Sequence, residues 1–330
     1  MPCARSNERE TEDRDYVERC FGRSLYAPKE LALMEQRDCT GNHLGCHLWF
    51  TRGEPSPDKP VSADAQRLFQ QAEEQAKRNR AAYVKNSDLY QSALLRLTEQ
   101  IRNCMLIHQQ PDAVSARQGH LDSRRVWRLP VLGDDKVFLR SDEESTPGFT
   151  VDLLLDGSAS QNRQQEKLAT QAYLIAESLS RCRIPVRVTA FCSVSGCTVL
   201  RILRDYDHPE QNDRVMDYVS AGWNRDGLAL RAMGRLMRQT AGEKRLLLVL
   251  SDASPNDDQR IPGGLGGHAY TGKRGVDDTA AEAAALRLRG VLPVCLFTGS
   301  DREVPDARRI YGQAMERLPA IGWLAMNSTP

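Results

Sequence analysis

From about residue 150 the chain alternates short apolar runs with amphipathic stretches, and this constrains the fold more than any other feature. The runs at 150–155, 186–193, 197–203, 245–250 and 291–297 have the length and the Val, Ile, Leu and Phe content of strands. The intervening stretches 162–181, 210–221, 227–240, 277–289 and 304–317 carry apolar residues at helical spacing. Strands and helices in this order build a mostly parallel sheet with helices on both faces, so the predicted class is α/β. In such sheets ligands collect beyond the carboxyl ends of the strands.

Two of those strand ends are rich in oxygen side chains. The stretch 150–160 reads Thr-Val-Asp-Leu-Leu-Leu-Asp-Gly-Ser-Ala-Ser, so Asp156, Ser158 and Ser160 occupy every second position. Period two sends them to one side of an extended segment. One carboxylate with two hydroxyls suits a small hard cation such as Mg²⁺ or Mn²⁺. The run 244–250 delivers Ser251 and Asp252, and between the two strands Gly222-Trp-Asn-Arg-Asp-Gly places Asn224 and Asp226 just before a helix. Asp and Ser are also common turn and cap residues, and Asp226 beside Gly227 reads equally well as a helix cap. Three oxygen-bearing pieces in order favour the cation site.

This order of pieces resembles the metal-ion-dependent adhesion site of von Willebrand factor A (VWA) domains. By position, Asp156, Ser158 and Ser160 match the first motif and Asp252 the strand-end Asp. Asn224 stands where that family usually has a metal-binding Thr, and Asp226 competes with it as ligand or supports the site from beside it. Asn-Arg-Asp-Gly-Leu-Ala-Leu-Arg from 224, Ser-Asp-Ala-Ser-Pro-Asn-Asp from 251, Tyr-Thr-Gly from 270 and Val-Asp-Asp-Thr-Ala-Ala-Glu from 276 look like the nitric oxide reductase activation protein group. So do Cys39 to Gly53, Gly119-His-Leu-Asp and Val126-Trp-Arg upstream. The VWA-bearing cobalt-chelatase subunit is a more distant likeness.

The resemblance implies a VWA, Rossmann-like fold and a non-catalytic, chaperone-like accessory subunit. It also implies Mg²⁺, or Mn²⁺ or Ca²⁺, held with one position open to an acidic side chain of a partner. The implied partners are a MoxR-type AAA+ ATPase and a target (metallo)enzyme that the pair activates or remodels. A VWA subunit of a metal chelatase is the alternative. A Mg²⁺-dependent hydrolase is a third reading, opposed by the lack of a His or Glu base placed by sequence beside the ligands.

With 45 Lys and Arg against 44 Asp and Glu, the net charge of +1 offers no basic excess to drive nucleic-acid binding. No apolar run approaches the roughly 20 residues that span a bilayer, and the first ten residues are too polar for a signal peptide. The expected location is cytoplasmic, with no membrane partner. Nine cysteines then read as reduced thiols, with Cys182, Cys192, Cys197 and Cys295 as buried packing residues.

Three units are expected: an irregular appendage at 1–61 with short helices at 15–21 and 28–35, a helical hairpin with short strands (126–129 and 136–139) at 62–145, and the VWA domain at 146–330. Cys39, His43, Cys46 and His47 lie within nine residues, a density that suits Zn²⁺, with Cys20 as a further ligand. Their spacing fits no established zinc pattern, and packing of the appendage is the competing reading. Gly267 to Arg274 mimics a phosphate-binding loop, but Arg274 replaces its Ser or Thr and no apolar strand precedes it, so it is no ATP site. Six glycines in 263–275 suggest a mobile loop at the rim of the site. Asp257 and Asp258 read as loop solvation, and Asp277, Asp278 and Thr279 as caps of the next helix. Arg124, Arg125, Arg128 and the basic residues of 77–85 read as a solvated face or a contact for an acidic partner.

Overall fold

A computed structural model describes residues 3–55, 63–108, 114–118, 120–133, 135–140, 148–237, 244–263 and 266–317. The first half holds α1 (Cys3–Phe21), α2 (Pro28–Asp38), β1 (His47–Thr51), α3 (Ala63–Lys85), α4 (Ser87–His108), β2 (Val114–Ala116), β3 (His120–Leu121), α5 (Arg128–Leu132) and β4 (Phe138–Arg140). The second half runs β5 (Phe149–Asp156), α6 (Gln165–Arg181), β6 (Val186–Val194), β7 (Cys197–Arg204), α7 (Asp226–Leu236), β8 (Lys244–Ser251), β9 (Asp257–Ile261), β10 (His268–Tyr270), α8 (Gly272–Leu288), β11 (Val291–Phe297), α9 (Val304–Tyr311) and β12 (Met315–Arg317).

Seven strands form the main sheet in the order β1-β7-β6-β5-β8-β11-β12. All neighbours are parallel except β6 and β7. That pair is a hairpin whose two loop residues, Ser195 and Gly196, have φ of 49° and 71°, the left-handed pair that tight hairpins need. The α/β expectation therefore holds, with the sheet mostly parallel.

Central β5 explains why the sheet is stable and where its polar end lies. Val151, Leu153 and Leu155 join the core under α6, packed on Leu168, Ala172 and Ala176. Leu154 joins the opposite core with Leu228 and Met233 of α7 and Leu286 of α8. Each of these β5 leucines is fully buried, which stabilises the fold by about 1.5–3 kcal/mol per side chain. Truncating one to Ala would open a cavity in a face that has no solvent to relax into.

Residues 3–55, the described part of the expected 1–61 appendage, are built into the main fold. β1 pairs with β7 as a parallel edge strand of the main sheet, from His47 opposite Cys197 to Thr51 opposite Arg201. Leu48, Trp49 and Phe50 are buried in the same core as Leu154 and Leu228, and Trp49 Nε1 donates to the Gly22 carbonyl at 3.0 Å. α1 and α2 also run longer than the helices expected at 15–21 and 28–35. α3 and α4 pack against α6, with Tyr83 stacked on Tyr90 at 5.3 Å and edge-on to Tyr173.

Four local expectations are corrected. Residues 126–129 form a turn into α5 and not a strand, and 210–221 is a 3₁₀ helix at Pro209–Asp217. The helix expected over 304–317 stops at Tyr311, where Gly312 takes a φ of 66°, and Met315–Arg317 becomes β12 beside β11. The glycine-rich 263–275 stretch contributes β10, antiparallel to β9, and the first turn of α8. Gly119 and residues 238–240 of the expected helix lie outside the described residues. Among the described residues no helix is long and apolar enough to cross a membrane. Cys192, Cys197 and Cys295 are buried free thiols, and Cys182 is half-buried.

Candidate metal centre

Asp156 and Ser251 end neighbouring strands, β5 and β8. The chain turns sharply after Asp156 because Gly157 N donates to the Phe191 carbonyl at 2.7 Å, where a Cβ would sit 2.9 Å from that oxygen. Asp156 is fully buried. Its Oδ1 accepts from Ser158 N at 2.9 Å and its Oδ2 from Ser251 Oγ at 2.9 Å. Tyr218 OH donates to its carbonyl at 2.5 Å. Ser158 Oγ and Ser160 Oγ are 2.9 Å apart, and Ser160 Oγ donates to Asp252 Oδ2 at 2.6 Å. Asp252 Oδ1 accepts from Ser254 N at 3.1 Å. The fold thus brings Asp156, Ser158, Ser160 and Asp252 into one string of oxygens beyond the sheet, as the alternating pattern implies.

The 222–226 loop divides differently. Asn224 and Asn256 exchange backbone hydrogen bonds at 2.8 and 3.0 Å. The Asn224 amide then spends both of its ends on the same loop, Oδ1 accepting from Asn256 N at 3.1 Å and Nδ2 donating to Ser254 O at 3.2 Å. Asp226, the first residue of α7, is buried and its Oδ1 has no hydrogen-bond partner. Asp226 Oδ1 is thus the oxygen of this loop left without a partner, while the Asn224 amide ties two loops together and also hydrogen-bonds Asp226.

Charge sets this cluster apart. Burial, then the Asp252 carboxylate, pushes Asp156 up to about 7. Burial, then Asp156 and Asp252, drives Asp226 well above the ordinary carboxylate range. Burial also raises Asp252, against the hydrogen bond from Ser160. Among the described residues no Lys or Arg pairs with any of the three. Like charges this close in a desolvated site favour a bound cation or a shared proton. Among the described residues no three His, Cys, Asp or Glu side chains are arranged to hold an ion by themselves; the further oxygens at this cluster are the hydroxyls of Ser158 and Ser160. Asp226 Oδ1 without a partner and a donor set of carboxylates and hydroxyls both fit a hard divalent cation.

Around the loop lie residues that sequence reasoning missed. Arg225 is fully buried. Its Nε donates to His43 Nδ1 at 3.1 Å, Nη1 to Asp257 Oδ2 and Gln259 O at 2.7 Å each, and Nη2 to Asn42 O at 2.5 Å. The guanidinium also sits 4.2 Å from the Tyr270 ring centroid. Asp257 is thus a buried ion-pair partner and not loop solvation, whereas Asp258 is exposed. Asp278 lies within α8 and is not a cap, because α8 already begins at Gly272. It accepts from Tyr270 OH at 2.7 Å and from Asn42 Nδ2 at 2.8 Å. Asp277 pairs at the surface with Arg309, and Thr279 Oγ1 bonds back to Gly275 O. No local pattern announces a buried arginine whose acceptors are scattered from Asn42 to Gln259.

Cys39, His43, Cys46 and His47 do not converge as a metal cluster. Burial depresses the His43 ring to about 3, drives the Cys39 thiol far up and pushes Cys46 up to about 12. His43 serves Arg225, and His47 Nδ1 faces Arg14 at 3.2 Å and Glu35 at 3.5 Å.

No family model matches the chain. Over 150 residues, 44% of its length, it is 29% identical to an uncharacterized protein of Pseudomonas aeruginosa, covering 23% of that protein. Over 137 residues, 40% of its length, it is 28% identical to protein NorD of Stutzerimonas stutzeri, covering 21% of it. The chain resembles NorD. It spans about a quarter or less of these curated relatives, and the matched part is under half of the chain, narrower than the scattered motifs implied. Among solved structures, the SpRpn10 VWA domain aligns with 55% of this chain and 95% of its own at a TM-score of 0.36 and 9% identity.

Proposed function

We propose that this chain is a cation-dependent protein-interaction module of a NorD-like accessory protein, and not itself a catalyst. The observation that carries this is the buried cluster of Asp156, Ser158, Asp226 and Asp252, with exposed Ser160 at its rim, which among the described residues has no cationic side chain of its own. Those five residues would hold Mg²⁺, Mn²⁺ or Ca²⁺. When bound, the ion supplies positive charge that neutralises the carboxylates and a coordination position for an oxygen from outside.

Ser251 and the Ser158 amide hold Asp156 in place, and Asn224 fixes the loop that carries Asp226. Exposed Ser160 and Ser254, with Trp223 at 46% exposure, form the open side from which a partner approaches. A partner Asp or Glu fits that rim, since contact through one carboxylate makes capture depend on both the metal and that acidic residue. Resemblance to NorD supports an accessory role in which a MoxR-type AAA+ ATPase and a target enzyme are the partners.

The test is capture of such an ATPase from native extract, with Mg²⁺ or with EDTA, by wild type and by Asp156→Ala/Asp252→Ala. Capture that requires Mg²⁺ and is lost in the double variant is expected. Capture indifferent to metal and mutation would refute the reading.

A further inference from the structure

Asp226 has no hydrogen bond to its Oδ1, yet both of its neighbours in the chain are held by one buried network. On one side Arg225 uses all three guanidinium nitrogens on His43, Asn42, Asp257 and Gln259. On the other side Gly227 N donates to Tyr270 OH at 3.1 Å, and that hydroxyl donates to Asp278 Oδ2 at 2.7 Å. A Cβ at Gly227 would collide with Asp278 Oδ2 and come within 3.0 Å of Tyr270 OH, so only glycine fits there.

The two halves meet at His43. Its ring is neutral at ordinary pH because burial and the nearby arginines hold its protonation down to about 3. Nδ1 accepts from Arg225, which leaves the proton on Nε2, and Nε2 lies 3.5 Å from Asp278 Oδ2. His43 Nε2 makes no hydrogen bond at that distance, and Asn42 closes the ring, through its carbonyl to Arg225 and its amide to Asp278.

We infer that the 42–43 turn, acting through Arg225 and through Asp278 with Tyr270, is a clasp that positions Asp226 for the cation. Arg225, His43 and Tyr270 are positioning residues; none lies among the proposed ligands. His43, one of the Cys and His residues at 39–47, thereby finds a use other than zinc. The clasp also makes the N-terminal segment, far away in sequence, part of the site. A rigid support fixes a carboxylate whose Oδ1 has no hydrogen-bond partner, so affinity does not have to meet the cost of ordering it.

This rests on Asp226 being a cation ligand. The test is titration of the full chain with Mn²⁺, followed by the electron paramagnetic resonance signal of the free ion, alongside urea melts in EDTA. Tyr270→Phe keeps the ring and deletes the hydroxyl. His43→Leu deletes the acceptor, and His43→Gln restores an acceptor for Arg225 Nε. The expected result is Mn²⁺ affinity weakened about tenfold or more in Tyr270→Phe and His43→Leu, with His43→Gln returning most of it. A role in packing alone would shift the melts and leave the affinity untouched. Wild-type binding with unchanged affinity in Tyr270→Phe and His43→Leu, or equal loss in His43→Leu and His43→Gln, would overturn the clasp alone. A wild type that binds no Mn²⁺ would overturn the site reading and the clasp with it.

Discussion

Asp152 and Asp156 stand four residues apart on β5, on the same side of the strand by its alternation, and neither has any exposure to solvent. Asp152 is met by Arg187, whose Nε and Nη2 both lie 2.8 Å from Oδ1, and by Tyr206 OH on Oδ2. The guanidinium in turn lies 4.8 Å from the Tyr206 ring centroid. Asp156 is met only by neutral donors, Ser158 N and Ser251 Oγ, and by the fields of two more carboxylates. Where the fold intends a buried aspartate as structure, it brings the counter-charge from the next strand. At the strand end it brings hydroxyls and further carboxylates, which leaves negative charge without a counter-charge among the described residues, the condition the proposed cation would relieve.

The strongest way to break this contrast is to remove the counter-charge. Arg187→Leu strands the Asp152 carboxylate in the core and should cost about 3–5 kcal/mol in urea denaturation. Asp156→Asn should do the opposite in EDTA, raising stability by about 1–2 kcal/mol through relief of a buried like-charge cluster. If both variants lose stability equally, the two aspartates are alike and the contrast is void.

The same pair of proteins gives a pH test with a definite sign. The folded Asp156 carboxyl titrates at about 7, above its unfolded value of 3.8, so the folded state binds its proton more tightly. Its contribution to metal-free stability is present in full below about pH 4 and is lost as pH rises towards 7. The wild-type minus Asp156→Asn difference should therefore grow more unfavourable between about pH 4 and 7, as read by denaturation in EDTA, and level off above. A flat difference would mean that Asp156 is not strained by its neighbours.

Which parts could be read from sequence follows the same physics. β5, β6, β7, β8 and β11 were evident because strands buried on both faces are continuous apolar runs, whereas β9 and β10, polar and glycine-flanked, were not. β1 was not, since His47–Thr51 is short and its partner β7 lies about 150 residues on. β12 was read as helix because Met315–Arg317 has no strand character of its own and pairs only with β11 in space, although Gly312 marks the stop. At the site, Asp156, Ser158, Ser160 and Asp252 stood out because strand ends are fixed by the strands. The different surroundings of Asn224 and Asp226 did not, because they depend on the Asn256 bridge that engages the Asn224 amide and leaves Asp226 Oδ1 without a partner. Arg225 was passed over as one more charged residue, and only its fully buried position gives it away.

The most direct measurement is equilibrium titration of Mn²⁺ into wild type, Asp156→Asn and Asp226→Asn by isothermal calorimetry at pH 7.5. The account predicts one ion per chain for wild type, no measurable binding for Asp156→Asn, and binding weakened by about tenfold or more for Asp226→Asn. Failure of wild type to bind, or binding unchanged in both variants, would contradict it.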